Sequence, residues 1–197
     1  MKMKKTYYLL MLGFSLLIFT QNLFAQKDSS GIYITADDFK SRKLSYAINY
    51  KTEKHKINTY VLFKGNTIRV KHQGNTYDLK KSETYGYRDT KGREYRFIGE
   101  VEYTILNPGE QLLLYVYQHP AHSGKEADKY APAYYFTTDA ANAPKALTKE
   151  NLKAAFPAYH KFHDALDENF KNDKELYAYD SFHKMYKLSW LLKNNIN

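Results

Sequence analysis

The hydrophobic period changes once along this chain, from two residues to between three and four, and the change falls at Asp139. Before it, Leu44, Tyr46, Ile48 and Tyr50 alternate with Ser45, Ala47, Asn49 and Lys51. A strand turns successive side chains to opposite faces, so this alternation predicts a half-buried strand. Further strands are expected at 57–63, at 67–72 with Ile68 and Val70 on one face, and at 76–80 with Tyr77 and Leu79. More follow at 84–88, 93–98 and 101–106. The breaks between them are Gly65-Asn66, Gln73-Gly74-Asn75, Asp89-Thr90-Lys91-Gly92, Gly99-Glu100 and Asn107-Pro108-Gly109, residue types that accept the backbone angles of tight turns. Segment 111–118 is apolar from Leu112 to Tyr117 without alternation, as expected of a central strand covered on both faces. A last strand is expected at 130–138, where Pro132 points to a sheet edge or a bulge.

After Asp139 the signals are helical. Thr148 is placed to cap a helix, with Leu147 and Leu152 as the hydrophobic staple around it. Pro157 ends that helix and is expected in the first turn of the next. Phe156, Tyr159, Phe162, Leu166 and Phe170 recur at helical spacing. Asn172 with Glu175 resembles a capping box, and Leu176, Tyr179, Phe182, Tyr186 and Trp190 define a final amphipathic helix. Short helices are marginal alone, so these are expected to pack on the sheet. The fold class is α+β: an antiparallel β-meander, as a sandwich or an open barrel, followed by a C-terminal helical segment.

The amino terminus adds a location. Lys2, Lys4 and Lys5 precede an uncharged apolar run at 7–19, and Leu23-Phe24-Ala25 closes it. That is the pattern of a secretory signal peptide cleaved after Ala25, and the run is well short of the roughly 20 apolar residues of a membrane span. Residues 1–25 are therefore expected to be removed, leaving 26–197 as one exported domain without a stable membrane anchor, in the periplasm or outside the cell. The chain has no cysteine, which rules out a lipoprotein anchor, disulfides, thiolate metal sites and a cysteine nucleophile. About 170 residues are enough to bury a core without such staples. Net charge is +9, and losing three signal lysines and no acids leaves +6. The lysines are scattered, with short clusters at 51–56 and at Lys80-Lys81 read as solvated surface, so nucleic acid is not an expected partner.

Gly31-Ile32-Tyr33-Ile34-Thr35 with Asp38-Phe39, Tyr85-Gly86-Tyr87-Arg88, Asn107-Pro108-Gly109, Tyr134-Tyr135-Phe136, Leu152-Lys153-Ala154-Ala155-Phe156-Pro157 and Tyr179-Asp180 together resemble an uncharacterised family of exported Bacteroidetes proteins. The likeness spans nearly all of 26–197. It implies export and a shared fold, and transfers no catalytic residue.

Chemistry-bearing constellations are few. His160, His163 and Asp164, with Asp167 and Glu168 behind them, fall three and four residues apart on one expected helix and offer nitrogen and oxygen ligands for a metal. His119 and His122 flank Pro120 in a loop and offer a weak metal site or an acid–base pair. No G-x-S-x-G elbow, dinucleotide fingerprint or P-loop is present, so no cofactor is expected. The unusual feature is 20 tyrosines. Most fall on buried phases, but Tyr85, Tyr87 and Tyr95 interleave with Arg88, Arg93 and Arg96 around one hairpin, a combination that suits a glycan, an anion or a protein partner.

Two readings follow. One is a non-catalytic envelope or periplasmic protein that binds a partner, such as an envelope protein or a glycan, through its sheet. The other is a metal-dependent hydrolase built on His160, His163 and Asp164 or on the His119/His122 loop. Both presuppose export. Amino-terminal sequencing of the protein from its host is expected to start at Gln26, whereas a Met1 start in the cytosolic fraction would overturn export.

Overall fold

The computed structural model describes residues 29–54, 56–60, 65–119 and 130–196. Its main body is an open, eight-stranded, wholly antiparallel sheet. The strands are β1 (Ser29–Tyr33), β2 (Ser45–Asn49), β6 (Gly86–Arg88), β7 (Glu94–Ile98), β8 (Val101–Ile105), β9 (Leu113–Tyr117), β10 (Ala133–Thr137) and β11 (Lys145–Ala146), in the spatial order β2-β1-β6-β7-β8-β9-β10-β11. A second sheet of β3 (Lys56–Asn58), β4 (Thr67–His72) and β5 (Asn75–Lys80) is inserted between β2 and β6. The expected meander is thus real from β6 to β11, but it is preceded by a strand the alternation did not disclose. β1 lies inside the sheet, between β2 and β6.

Register settles which side chains share a face. Ile32 pairs with Tyr87, Tyr87 with Tyr95, Tyr95 with Thr104, Thr104 with Val116 and Val116 with Tyr134. These residues form one row across the sheet, because cross-strand partners point the same way. Their neighbours one residue along point to the other face. At one end of the row's face, the small sheet supplies Ile68 and Val70 to pack with Ile32, Tyr87 and Phe97. At the far end, the carboxy-terminal helices cover Leu112, Leu114 and Phe136. The opposite face is closed by α1 (Ala36–Lys40), whose Phe39 packs with Tyr33, Tyr85, Leu113 and Tyr115.

The helical tail is α2 (Lys149–Ala155), α3 (His160–Asn169) and α4 (Lys187–Asn195). Thr148 caps α2 by accepting from the Asn151 amide, and Leu147 and Leu152 are both buried against the same core. Pro157 lies in the turn between α2 and α3, which starts three residues later at His160, rather than inside its first turn. Pro132 stands just before β10, an interior strand, where its missing N–H costs no ladder bond. The expected last helix is the larger correction. Asn172 caps only a 3-10 turn, Asp173–Glu175, and a short hairpin of β12 (Tyr179–Asp180) and β13 (Met185–Tyr186) follows before α4 begins. The Asp180 carboxylate accepts from the Phe182 and His183 amides, and that local turn takes the place of helical bonding. Tyr179 and Phe182 consequently face solvent.

Two turns fix the geometry around the sheet. Gln73 and Gly74 both have positive φ, as a two-residue hairpin between β4 and β5 requires. Asn107 is buried and holds the β8–β9 reversal: its amide nitrogen donates to the Leu112 carbonyl at 2.7 Å and to Ser189 of α4 at 3.2 Å, and its oxygen accepts from the Leu114 amide. Gly86 marks a close backbone approach, since a Cβ there would lie 1.9 Å from the Tyr95 carbonyl oxygen. Gly86→Ala is expected to lower stability by about 3 kcal/mol or more in urea denaturation, by the overpacking rule, while Gly74→Asn, in open space at an Asn-tolerant φ, leaves it nearly unchanged.

Candidate functional site

The strand alternation divides the arginine–tyrosine hairpin between the two faces of the sheet. Arg88, Glu94 and Arg96 point to the α1 side. Glu94 is buried, and its carboxylate accepts from the Arg42 guanidinium and, at 3.2 Å, from the Tyr33 hydroxyl, with the Arg88 Nε at 3.9 Å. Arg42 has φ +59, at the position after the α1 cap where helices favour glycine, and the Arg42 and Lys43 amides donate back to the Phe39 and Asp38 carbonyls. The ion pair holds a β-carbon in a conformation that normally disfavours one. Burial, reinforced by the Glu94 charge, pushes the Tyr33 hydroxyl up to about 12.

Arg96 is 7% exposed and donates to the Tyr115 hydroxyl at 3.1 Å. Its guanidinium lies 5.0 Å from the Tyr85 ring centroid and 5.6 Å from that of Tyr115. The Tyr115 hydroxyl is 3.1 Å from Thr137 Oγ1. Tyr85 is buried and stacked on Phe39, and burial raises its hydroxyl above the ordinary tyrosine range. Arg96 and Tyr85 are therefore committed to the interior, and Arg88, half-buried, is turned toward Glu94.

On the other face Tyr87 stacks on Tyr95 at 4.6 Å with 8° between the rings and is covered by the small sheet. Burial, followed by the Glu102 charge, raises its hydroxyl as well. Arg93 lies at the turn, bound to Asp89 at 2.7 Å and 5.8 Å from the Tyr95 ring centroid. Of the six residues singled out in the hairpin, only Arg93 and Tyr95 border open space.

That space is a groove of about 640 Å³ lined by Lys81, Arg93, Tyr95, Glu102, Thr104 and Val116. It lies where the two covers of this face stop short of each other: Tyr87 and Phe97 are under the small sheet, Leu114 and Phe136 under the helices, and the Tyr95–Thr104–Val116 row runs between. Two of its charges are unusual. Lys81 is only 2% exposed, and among the described residues its ammonium makes no hydrogen bond or ion pair, lying 5.7 Å from the Phe97 ring centroid. Burial lowers its pKa. Glu102 is shifted the other way, upward by burial, with hydrogen bonds from Thr59 and Tyr87 offsetting it, and its Oε2 is buried without a partner among the described residues.

A smaller cleft of about 270 Å³ borders α1, lined by Lys40, Arg42, Glu110 and Asp139. Its cations are already engaged, Lys40 with Asp139 at 2.9 Å and Arg42 with Glu94. On the α1 side beyond that cleft, Tyr103 packs against Tyr117 at 5.7 Å and Tyr135 at 5.4 Å, all three half-buried. His119 is exposed and rests on Tyr117, while His122 lies outside the described residues.

The histidines of α3 have separate tasks. His163 Nε2 is 2.9 Å from the Phe156 carbonyl oxygen, so that nitrogen carries the proton and closes the end of α2. His160 and Asp164 are exposed, and Asp167 is taken by Lys149 and Lys153. Among the described residues no three His, Asp or Glu side chains are gathered closely enough to hold a metal ion.

Sequence reasoning missed Lys81, Glu102 and Thr104. The Lys80-Lys81 pair, read as solvated surface, is half wrong: Lys80 pairs with Glu83 at the surface, and Lys81 is interior. The usable signal was the strand phase, which puts Thr104 and Glu102 on the same face as Tyr95. Comparison with protein-family models, with curated proteins and with solved structures finds no match. Glu94→Ala, which strands the Arg42 and Arg88 guanidinium groups and the Tyr33 hydroxyl around an emptied buried position, is expected to cost about 3–5 kcal/mol in urea denaturation, whereas loss of the exposed Arg69–Asp78 pair through Asp78→Ala barely moves the midpoint.

Proposed function

We propose that this is an exported, non-catalytic protein that binds a ligand in the groove over β7, β8 and β9. The observation that carries the reading is the groove itself: a mixed polar and apolar recess of about 640 Å³, within the size range of small-molecule sites, containing a lysine ammonium with no hydrogen bond or ion pair and a carboxyl group with one buried oxygen unpartnered, both among the described residues. Folded proteins pair or hydrogen-bond nearly all buried polar groups, so groups left unpaired in a recess read as provision for something that enters it. The signal-like residues 1–25 support a periplasmic or extracellular setting for that binding. Among the described residues no helix is long and apolar enough to cross a membrane.

The buried members of the arginine–tyrosine hairpin serve this function indirectly. Tyr87 supports Tyr95 from the adjacent strand, and Asp89 holds Arg93 at the rim. Thr104 is the residue to alter, because it lies on the groove floor and its side chain makes no hydrogen bond among the described residues. Thr104→Trp fills the floor while keeping a strand-compatible residue. Incubated with an envelope extract of the host, washed and then denatured, the wild-type protein is expected to release a bound small molecule that the variant does not. Equal recovery from both, with the variant's circular dichroism unchanged, would remove the groove as the binding site.

A further inference from the structure

We infer that the groove takes a small molecule bearing a carboxylate, and that Lys81 is the group that anchors it. This rests on the reading of the groove as a ligand site and adds the chemical class of what enters. A lysine is almost never fully buried unless paired, because removing an ammonium from water is costly without a compensating charge. Lys81 is 98% buried by area, held at the start of the 3-10 turn Lys81–Glu83 by its amide bond to the Asn66 carbonyl. Its side chain runs over Phe97 and ends at the groove with no acceptor among the described residues.

The charges around it define the ligand. Arg93, the other cation of the lining, is already bound by Asp89, whereas Lys81 has no ion pair among the described residues and only the more distant Glu102 and Glu100 charges, which favour its protonated form. Glu100 and Glu102 border the same recess. A dianion such as inorganic phosphate would gain one free cation and meet two carboxyl groups. A carboxylate carries one charge, matching the single ammonium. Its second oxygen can accept a hydrogen bond from Glu102 when that carboxyl is protonated, which burial favours and which gives the orphaned Oε2 a partner. The apolar lining from Val116 and Leu106 accommodates the body of the molecule. Lys81 is thus a binding residue, and its ammonium gains a direct ionic contact when the ligand is present.

The test is a titration of isotope-labelled protein, read by amide chemical shifts, with four probes: D-galacturonate, its uncharged counterpart D-galactose, acetate and inorganic phosphate. Galacturonate and acetate are expected to shift the amides of Lys81, Glu102, Thr104 and Val116 saturably, and phosphate and galactose are not. Lys81→Met should weaken the galacturonate response tenfold or more without lowering the melting temperature, since removing an uncompensated buried charge is neutral or stabilising. Lys81→Arg, which keeps the charge, should retain part of the response. If galactose shifts the groove amides as strongly as galacturonate, or phosphate more strongly, the carboxylate inference fails while the groove reading stands. If carboxylates shift only amides elsewhere, such as those of Lys40 and Arg42, the carboxylate inference fails, and the Thr104→Trp comparison decides the groove reading separately. No response at these amides to either carboxylate at about 50 mM, a concentration at which even millimolar affinity saturates, overturns the inference. A Lys81→Met protein that fails to fold, together with a Lys81→Arg protein that folds without the galacturonate response, overturns it too, because Lys81 would then be structural.

Discussion

A single buried carboxylate ties together the parts of this molecule that are far apart in sequence. Glu94 on β7 receives Tyr33 from β1, Arg42 from the exit of α1 and Arg88 from β6. Four segments are thereby fixed to one point on the α1 side of the sheet. The consequences spread outward. Arg42 is kept in a left-handed conformation, α1 is held over Tyr85 and Leu113, and β1 is retained between β2 and β6 instead of fraying as an amino-terminal strand would. Replacing such a cluster by hydrophobic residues need not weaken a protein, but removing one member of it leaves charges stranded in a low-dielectric interior. Its specificity lies in geometry, since only one pairing of β1 brings Tyr33 to Glu94.

The other face of the sheet is covered differently. The small sheet and the helical tail both cover the Ile32–Tyr134 face, one from each end, and neither spans it. The gap between them is the groove. Its floor is ordinary strand, with Thr104 and Val116 paired across β8 and β9, and its distinctive chemistry comes from the 3-10 turn that delivers Lys81 from the small sheet. The groove therefore exists only because two separately built covers meet the same strands. Neither half carries it alone.

Much of this was legible in the residues. The strands between 67 and 138, the turn at Gln73-Gly74, the reversal at Asn107-Pro108-Gly109 and the Thr148 cap all follow from local spacing and turn chemistry, and each is found where those signals put it. Failures came where a distant partner decided the outcome. Ser29–Tyr33 is too short and too weakly alternating to declare itself a strand, and it is one because β2 and β6 flank it. Residues 176–190 have helical spacing, but the Asp180 turn captured their backbone first. Lys81 looks like its neighbour Lys80 in sequence, and only the packing of Phe97 beneath it separates a buried ammonium from a solvated one.

The sequence by itself determined periods, turns, caps and the exclusion of thiol chemistry, because each is a property of residues within a few positions of one another or of residue types absent altogether. Period two says that Tyr85, Gly86 and the residues up to Arg96 alternate between faces, yet it cannot say which face is sealed. The tertiary structure decided that Glu94 and Arg96 are sealed in, that Tyr95 and Arg93 border a recess, and that Lys81 lines it. The reason is physical: burial depends on what covers a face, and here the covering elements are brought back from stretches of chain tens of residues away.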